Sequence, residues 1–392
     1  MLAIEVMFQF GTYLTSPIVS KYIVFLGASI AVGGFVAGLN ASVAMIVRPF
    51  VGWFADRVGK KALLLVSAVL FAVAAFGCAL SPSPFFVGLF RGVQGVAFAL
   101  RSAVLVSMVS LVVPRERLGT AVGWIGLAST LSCALGPAIG SAVGFAWGYS
   151  ASFLFAGILF VAGLILAALI PFSVGKGKEG LSGVRDGVVV KKGEGRGRHS
   201  SIRIGDFLYK PALPITLVAG LMVVPNGAAL TLIILAGDQR GIMGAAAYFV
   251  FFSLAALVSK PLVGRLSDRI GLTAAVAPML VVELIATVLL AFMGSVFFLI
   301  AAGLCMGVGQ SSAYSALQAE AVRVAGSDEV GRASNTFFVG PDIGMGMGPL
   351  AAGWAMETLG ITAMFLLCGF LVLIALCVLL IFEWKRKGNA RC

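Results

Sequence analysis

A charged motif occurs twice in this chain, at two places separated by a fixed distance. Residues 48–59 (RPFVGWFADRVG) are matched by residues 260–271 (KPLVGRLSDRIG), an offset of 212 residues. Gly136-Pro137 recurs as Gly348-Pro349 at the same offset. Two separate motifs that keep one offset indicate a duplicated unit. Each copy of the charged motif closes an apolar run, so both copies lie on one side of a membrane only if each unit contains an even number of spans.

The composition excludes an ordinary soluble domain. Hydrophobic residues make up 60% of the sequence, charged residues only 11%, and the mean hydropathy is +1.06. Soluble domains contain about a quarter charged residues. Runs without any charge, such as 63–80, are typical of transmembrane helices. We therefore predict an all-α membrane protein with twelve transmembrane helices, at about 1–25, 29–52, 62–80, 85–113, 119–144, 150–172, 212–236, 242–265, 273–293, 295–323, 331–357 and 361–382.

The net charge of +12 is distributed as a topology signal and does not indicate nucleic-acid binding. Lys and Arg gather in alternate connections, in the segment 176–210 and at 385–387, whereas the other connections hold only Lys21 and Arg240. By the positive-inside rule the basic connections and both termini are cytoplasmic. The six cysteines fall inside predicted spans or at the tail, so they are expected to pack as small apolar residues and not to form disulfides. The first span begins at Met1, which leaves an upstream start or a trimmed end open.

The charged motif resembles a family signature. Gly52-x-x-x-Asp56-Arg57-x-Gly59-Lys60-Lys61 is similar to the loop 2–3 motif of the major facilitator superfamily. The second copy is similar to the weaker version of this motif in loop 8–9 of the same family. The resemblance covers essentially the whole chain. It implies two six-helix bundles, at 1–172 and 210–384, joined by a basic Gly-rich cytoplasmic linker at 173–209 and followed by a basic tail at 385–392. We expect the motif residues to latch the bundles on the cytoplasmic face: Gly52, Asp56, Arg57, Gly59, Lys60, Gly264, Asp268, Arg269 and Gly271.

Two further stretches resemble motifs of the same family. Arg91-x-x-Gln94-Gly95 is similar to a span-four motif that is proposed to take part in proton transfer in proton-coupled members. The stretch around Gly136-Pro137 and Gly140 resembles the span-five motif of antiporters, although Ser132 and Ser141 replace two of its glycines. Gly and Pro allow a helix to bend and to pack closely, so these residues and their repeats, Gly348 and Pro349, are interpreted as hinges between the halves. Ordinary packing glycines are the alternative.

Several charged residues fall inside predicted spans, where each needs a partner or water. Arg101 lies near the middle of span four, and Glu5 is its best partner although their depths differ by roughly 9 Å. The alternatives are that Glu5 is solvated at the helix entrance and that Arg101 meets an anionic substrate. Asp342 lies near the middle of span eleven, and its repeat partner is Thr130. A charged residue whose repeat position is uncharged indicates that the two copies have diverged there from a shared structural role.

The second unit contributes further polar residues at depth. We predict that span seven breaks at Pro225-Asn226-Gly227, because irregular backbone within a membrane usually lines a cavity. Helices 1, 4, 7 and 10 are expected to surround this cavity. The residues predicted to bind substrate or protons there are Glu5, Arg91, Gln94, Arg101, Asn226, Gln310, Tyr314 and Asp342.

These patterns favour a secondary transporter that works by alternating access, most simply proton-coupled efflux. The stretch around Asp342 is similar to arabinose-efflux-type exporters and drug:proton antiporters, and the resemblance implies a monomer in the cell (inner) membrane. Proton-coupled uptake of a small, possibly anionic, metabolite is the alternative. An enzyme is disfavoured because the chain lacks H-E-x-x-H, G-x-S-x-G and phosphate-loop motifs, and the single histidine, His199, lies in the linker. We expect no metal and no cofactor. The partners are a small-molecule substrate, protons and the lipid bilayer.

Overall fold

The computed structural model describes residues 2–112, 118–169, 209–325 and 330–389. The described part is α-helical, with one 3₁₀ turn at Lys210–Ala212 and no strand. The first half contains α1 (Leu2–Phe25), α2 (Ile30–Val58), α3 (Lys60–Leu80), α4 (Pro84–Val112), α5 (Leu118–Trp147) and α6 (Tyr149–Leu169). The second half contains α7 (Leu213–Gln239), α8 (Ala247–Ile270), α9 (Leu272–Ala291), α10 (Val296–Arg323) and α11 (Val330–Asn389).

The last helix bends sharply at one glycine. α11 is 60 residues long, and Gly360 within it has the non-helical backbone angles φ 86° and ψ 171°. This left-handed backbone is accessible to glycine at little cost, so Gly360 divides the helix into two straight segments. In the described part of the chain, ten helices are long and apolar enough to cross a membrane, and α11 counts as one of them.

Two helices run further than the sequence predicts. The charged motif is not a loop, because α2 continues through Asp56-Arg57 to Val58 and only Gly59, at φ 86°, separates it from α3. No Gly or Pro lies between residues 53 and 58, so the helix continues to Gly59. α7 is continuous through Pro225-Asn226-Gly227, and the predicted break there is wrong. Transmembrane helices tolerate such residues because neighbouring helices and side chains satisfy the freed backbone groups.

The duplication is visible in how helices pack. A Cβ atom added to Gly95 of α4 would lie 2.6 Å from the Asn40 carbonyl oxygen of α2. Gly307 of α10, 212 residues further on, packs in the same way on the carbonyl of Phe252 in α8, which is the repeat of Asn40. Only glycine permits this approach, because any side chain would overlap the facing backbone. Equivalent helices in the two halves therefore meet at equivalent places.

Each half has its own buried apolar clusters. In the first half, Phe8, Phe71 and Phe160 are fully buried and stack around one another with centroid distances of 5.0 to 5.7 Å. In the second half, buried residues of α7, α8, α9, α10 and α11 form two clusters that include Leu232 and Phe337. The halves meet along α2 and α11, α5 and α8, and α1 and α7.

Two polar contacts join the halves at one end of the bundle. We call it the Gly27 end, since it carries the connection between α1 and α2; the opposite end, with the connection between α2 and α3, is the Gly59 end. Lys21 of α1 forms an ion pair with Asp238 of α7 at the Gly27 end. The backbone amide of Ala31 donates a 2.7 Å hydrogen bond to the Glu357 carboxylate of α11. These contacts hold the two halves together there.

Candidate functional site

A cavity of about 410 Å³ lies between the two halves at mid-depth. Its wall comes from α1, α2, α4 and α5 of the first half and α7, α8, α10 and α11 of the second. The four helices expected from the sequence all contribute, and four more complete the wall. The polar and ionisable residues that line it are Gln9, Thr12, Tyr13, Ser16, Asn40, Arg48, Arg91, Ser129, Thr130, Asn226, Thr231, Tyr248, Ser253, Lys260, Gln310, Ser311, Tyr314 and Asp342.

The cavity wall follows the internal repeat. On α5 the residues 129, 130 and 133 face the cavity, and on α11 their repeats 341, 342 and 345 do so. On α2 and α8 the same correspondence holds over four pairs of positions. Those pairs are Ala37 with Phe249, Asn40 with Phe252, Ala41 with Ser253, and Arg48 with Lys260. The cavity is therefore built by equivalent helix faces that carry different side chains.

An ion pair crosses the cavity from one half to the other. Arg48 Nη1 of α2 lies 2.9 Å from Asp342 Oδ2 of α11, and the two side chains are 28% and 15% exposed. The Arg48 guanidinium also lies 5.9 Å from the Phe98 ring and 5.8 Å from the Phe338 ring. Asp342 is the one carboxylate among the described residues that line the cavity. The pair is only partly screened from water.

Arg48 is a cavity residue that the sequence analysis does not predict. It is the first residue of the repeated motif, and it lies ten residues before the end of α2, which corresponds to roughly 15 Å. A cation so far inside a membrane helix needs a partner, and this requirement was the available signal. The same reasoning applies to Lys260, ten residues before the end of α8.

Arg91 faces the cavity with neutral partners. Its guanidinium donates a 2.6 Å hydrogen bond to Gln94 Oε1 and a 3.3 Å hydrogen bond to the carbonyl oxygen of Ala37. The side chain is buried, with the residue 2% exposed, and its Nε has no hydrogen-bond partner among the described residues. Gln94 itself lies behind Arg91 and not on the cavity wall. The arginine positive charge is therefore solvated but not neutralised.

Glu5 and Arg101 form an ion pair behind the wall. The sequence predicts both as cavity residues, whereas the structure encloses them in the first half, where each side chain is 3% exposed. The Arg101 guanidinium carbon lies 5.8 Å from the Phe8 ring, 5.9 Å from the Phe71 ring and 5.6 Å from the Phe98 ring. The long arginine side chain reaches toward Glu5 across the difference in depth. Aromatic rings then seal the pair from the cavity.

The remaining predicted cavity residues lie on the wall. Asn226, Gln310 and Tyr314 contribute from α7 and α10. Glu283 of α9, which the sequence leaves without a role, is fully buried away from the cavity, and neither of its carboxyl oxygens has a hydrogen-bond partner in the described part of the chain.

Lys260 is the third cation of the cavity wall. It is the repeat of Arg48, and its side chain is exposed. Arg48 faces Asp342, but the repeat of Asp342 is Thr130, which carries no charge. Within the described residues no carboxylate lies within ion-pair distance of Lys260.

The predicted motif and hinge residues are only partly described. The side chains at Gly52, Asp56, Arg57 and Asp268 lie outside the described part of the structure, as does most of the linker at 173–209. Of the others, Gly264 and Arg269 are in α8, Lys60 begins α3, and Gly271, at φ 90°, separates α8 from α9.

The predicted hinge glycines pack helices together within each half. A Cβ atom on Gly136 would lie 2.9 Å from Tyr13 Cβ, and one on Gly140 would lie 2.9 Å from Ile18 Cδ1, both on α1. Gly348 meets Val224 of α7 in the same way, at 3.3 Å. Pro137 and Pro349 lie within continuous helix.

The cavity is closed toward the Gly27 end. Arg91, Thr231 and Tyr248, on that side of the wall, are 2%, 5% and 1% exposed. Nearer the Gly59 end, Lys260 is exposed and Arg48 is half-buried. Accessibility therefore increases toward the Gly59 end.

A polar cavity enclosed by apolar helices from two repeated halves defines a multi-pass membrane transport protein. The sequence profile of the Major Facilitator Superfamily matches residues 1–259 and 241–391. The chain belongs to this superfamily, whose members are transporters and not enzymes, and the resemblance seen in the sequence is confirmed. Its bacterial relatives imply the inner membrane, so the predicted location in the cell membrane is also confirmed.

Curated relatives are bacterial transport proteins. The multidrug resistance protein MdtG of Dickeya zeae (strain Ech586) is 26% identical over 395 residues, covering 96% of this chain and 91% of MdtG. The uncharacterized MFS-type transporter YvkA of Bacillus subtilis (strain 168) is 35% identical over 109 residues, which is 28% of this chain and 24% of YvkA. The match with YvkA thus spans about a quarter of that protein.

Solved structures share the fold at low sequence identity. A POT family transporter in complex with 5-aminolevulinic acid superposes with a TM-score of 0.80 and 15% identity, covering 98% of this chain and 95% of that one. A bacterial homologue of the human lysosomal transporter Spinster, in an inward-facing and occupied conformation, has a TM-score of 0.77 and 13% identity, covering 97% and 95%.

Proposed function

We propose that this chain is a secondary active transporter that exports a small molecule in exchange for protons. We count α11 as two spans on either side of Gly360, so that twelve spans form two six-helix bundles at 1–172 and 210–384. The Gly59 end and both termini then face the cytoplasm, as the distribution of basic residues favours. The segments 173–209 and 385–392 act as linker and tail, and the protein works as a monomer.

The Arg48–Asp342 ion pair is the observation that carries this proposal. It joins the two halves inside the cavity, and its carboxylate can gain or lose a proton there. A carboxylate at mid-depth is stable only when paired, solvated or protonated. Protonation of Asp342 removes the charge that attracts Arg48, so it weakens the link between α2 and α11. Proton uptake is thereby coupled to the relative movement of the halves.

The direction of export follows from a simple cycle. In the conformation described here, the cavity is accessible toward the Gly59 end and Asp342 lies beside Arg48. Substrate enters from the cytoplasm while Asp342 is charged, and rocking of the halves then opens the Gly27 end. Asp342 takes up a proton from outside after the substrate has left, and carries it inward during the return. The curated name of MdtG, a multidrug resistance protein, supports efflux.

Other residues have supporting roles in the proposal. Glu5 and Arg101 fix α1 to α4 and do not exchange protons with the cavity, because aromatic rings enclose them. The repeated motif around Asp56-Arg57 latches the halves at the Gly59 end. The glycines Gly136 and Gly348 let α5 and α11 stay close to α1 and α7 while the halves rock.

Everted membrane vesicles test proton-coupled export directly. Respiration acidifies their interior, and a pH-sensitive dye reports the gradient while a panel of amphipathic dyes and organic acids is added outside. Wild-type protein is expected to dissipate the gradient with at least one compound, and Asp342→Asn is expected to abolish this response. Glu383→Gln, also on α11 but outside the cavity, serves as the matched carboxylate control. A response of Asp342→Asn equal to that of the wild type would remove Asp342 from the mechanism.

Proton-coupled uptake of an anionic metabolite is the second candidate. It is favoured by the charge of the cavity wall, where three cations face one carboxylate among the described residues. The two directions differ in whole cells: export lowers the internal concentration of a labelled substrate when the chain is expressed, and uptake raises it. Collapse of the proton gradient by an ionophore reverses either effect.

A further inference from the structure

Two of the three cations on the cavity wall have no counter-charge. Arg48 is neutralised by Asp342, whereas Arg91 has only neutral hydrogen-bond partners and Lys260 has no carboxylate within ion-pair distance in the described residues. The ion pair between Glu5 and Arg101 lies outside the wall and adds no net charge. The described wall therefore carries two positive charges in excess, and a ligand that supplies negative charge is favoured.

The internal repeat shows where a counter-charge is missing. Lys260 occupies on α8 the place of Arg48 on α2, and Thr130 occupies on α5 the place of Asp342 on α11. Both helix pairs contact each other across the boundary between the halves. The α5–α8 seam therefore has a neutral side chain at the position where the α2–α11 seam has a carboxylate. One side holds a complete ion pair and the other holds only its cation.

Buried hydroxyl groups without a strong partner accompany Lys260 on the same helix. Ser253 and Tyr248 are 2% and 1% exposed, and both line the cavity. Tyr248 OH has no hydrogen-bond partner among the described residues, and the Ser253 hydroxyl faces the Cys133 thiol of α5, which is a weak hydrogen-bonding group. Buried polar groups normally have partners, so these hydroxyls are suited to a ligand. Side chains of an α-helix incline toward its N-terminus, which is the direction of Ser253 from Lys260. Lys260 and Ser253 can therefore approach the same anionic group.

Aromatic rings line the cavity on both sides. Phe249 and Phe252 lie on the same face of α8 as Lys260, and Phe98 and Phe338 line the wall beside Arg48. A ligand that fits this cavity combines a flat apolar body with an anionic group, because the rings favour the first and Lys260 favours the second.

We propose that Lys260 and Ser253 bind the anionic group of an amphipathic organic anion, in the place that Asp342 fills for Arg48, with Tyr248 as a further donor along α8. This inference rests on the proposed function as a transporter and names its class of substrate. The substrate anion supplies Lys260 with the counter-charge that Thr130, on the facing helix α5, does not provide.

The test compares two probes that differ only in charge. Binding of 2-naphthoate and 2-naphthamide is measured by calorimetry on the purified full chain in lipid nanodiscs at neutral pH. The wild type is expected to bind the acid about tenfold more tightly or better, which is the effect of one hydrogen bond to a charged group. Lys260→Gln should lose the preference and Lys260→Arg should keep it. Lys210→Gln, which removes a lysine outside the cavity, should match the wild type.

A second substitution keeps Lys260 and restores the missing charge. Thr130→Asp should pair with Lys260 and reduce acid binding to the level of the amide, whereas Thr130→Asn should retain the preference. Equal binding of the two probes by the wild type, no binding of the acid, or a preference that survives in Lys260→Gln would overturn the inference. Because binding requires no proton gradient, it is independent of the vesicle experiment. A preference for the acid without proton flux rejects proton-coupled transport alone, and proton flux without the preference rejects the anion site alone.

Discussion

Loss of Glu5 is expected to destabilise the first half strongly without removing proton coupling. Glu5 and Arg101 are 3% exposed, so Glu5→Gln leaves a guanidinium buried with no counter-ion. Breaking a buried ion pair by removing one partner costs about 3–5 kcal/mol. The rings of Phe8, Phe71 and Phe98 lie within 5.9 Å of the Arg101 guanidinium, and a cation–π contact is worth about 2 kcal/mol, so they offset only part of the lost attraction.

A double-mutant cycle separates this electrostatic cost from simple loss of packing. The free energy of unfolding is measured in mixed micelles for Glu5→Gln, Arg101→Met and the double variant. The double variant is expected to be more stable than Glu5→Gln by about 2 kcal/mol or more, since no unpaired charge remains. If the changes in unfolding free energy of the two single variants simply add, Glu5 and Arg101 are not coupled, and the buried ion pair does not stabilise the first half. Glu5→Gln protein that folds but has lost substrate-driven proton movement would instead return Glu5 to the coupling mechanism.

Three further substitutions probe the closed end and the buried acid. Gly38→Leu is expected to push α2 away from α11, because even a Cβ atom at Gly38 would overlap the facing backbone. The labelling background keeps Cys133, on the cavity wall, as its only cysteine, and in that background Gly38→Leu should make Cys133 react faster with an impermeant thiol reagent added from the Gly27 side. An unchanged rate of labelling would contradict this. Lys21→Ala should also increase the rate of Cys133 labelling. It should change the free energy of unfolding by at most about 1 kcal/mol, because the ion pair of Lys21 with Asp238 is partly exposed. The exchanged pair, Lys21→Asp with Asp238→Lys, should restore the protection of Cys133. Glu283→Gln should alter the free energy of unfolding by less than about 1 kcal/mol, because neither carboxyl oxygen has a hydrogen-bond partner to lose among the described residues. If this variant lost proton coupling in the vesicle assay, Glu283 and not Asp342 would be the coupling site.

The membrane spans and the duplication could be predicted because both depend on local composition. Apolar runs locate helices in lipid without reference to their neighbours. The partner of Arg101 could also be proposed, since Glu5 is a carboxylate in the first span and the long arginine side chain can reach across the difference in depth. Helix ends were harder, because the charged motif looks like a loop until one asks what would break the helix before Gly59.

The partner of Asp342 could not be predicted in this way. It comes from the other half of the chain, so its distance depends on how the halves dock and not on any spacing in the sequence. Arg48 is visible as the first residue of the repeated motif, but the sequence analysis gives it no role in the cavity. The depth of the residue along α2 was the neglected quantity, and Lys260 was missed for the same reason.

The two seams between the halves are not equivalent, and the difference explains why only one of them holds a complete ion pair. Where α2 meets α11, the close approach depends on glycines that leave room for no side chain, among them Gly34, Gly38, Gly346 and Gly353.

The repeat-related positions carry Ala246, at the start of α8, Val250 on α8, and Ala134 and Ser141 on α5 instead. Side chains at these positions hold backbones further apart than glycines do. The glycine seam therefore brings Arg48 and Asp342 within direct contact, whereas the α5–α8 seam has neither these glycines nor a carboxylate at the position that corresponds to Asp342. An ion pair that needs no ligand stabilises the first seam, and the second seam is the one that a charged substrate can complete.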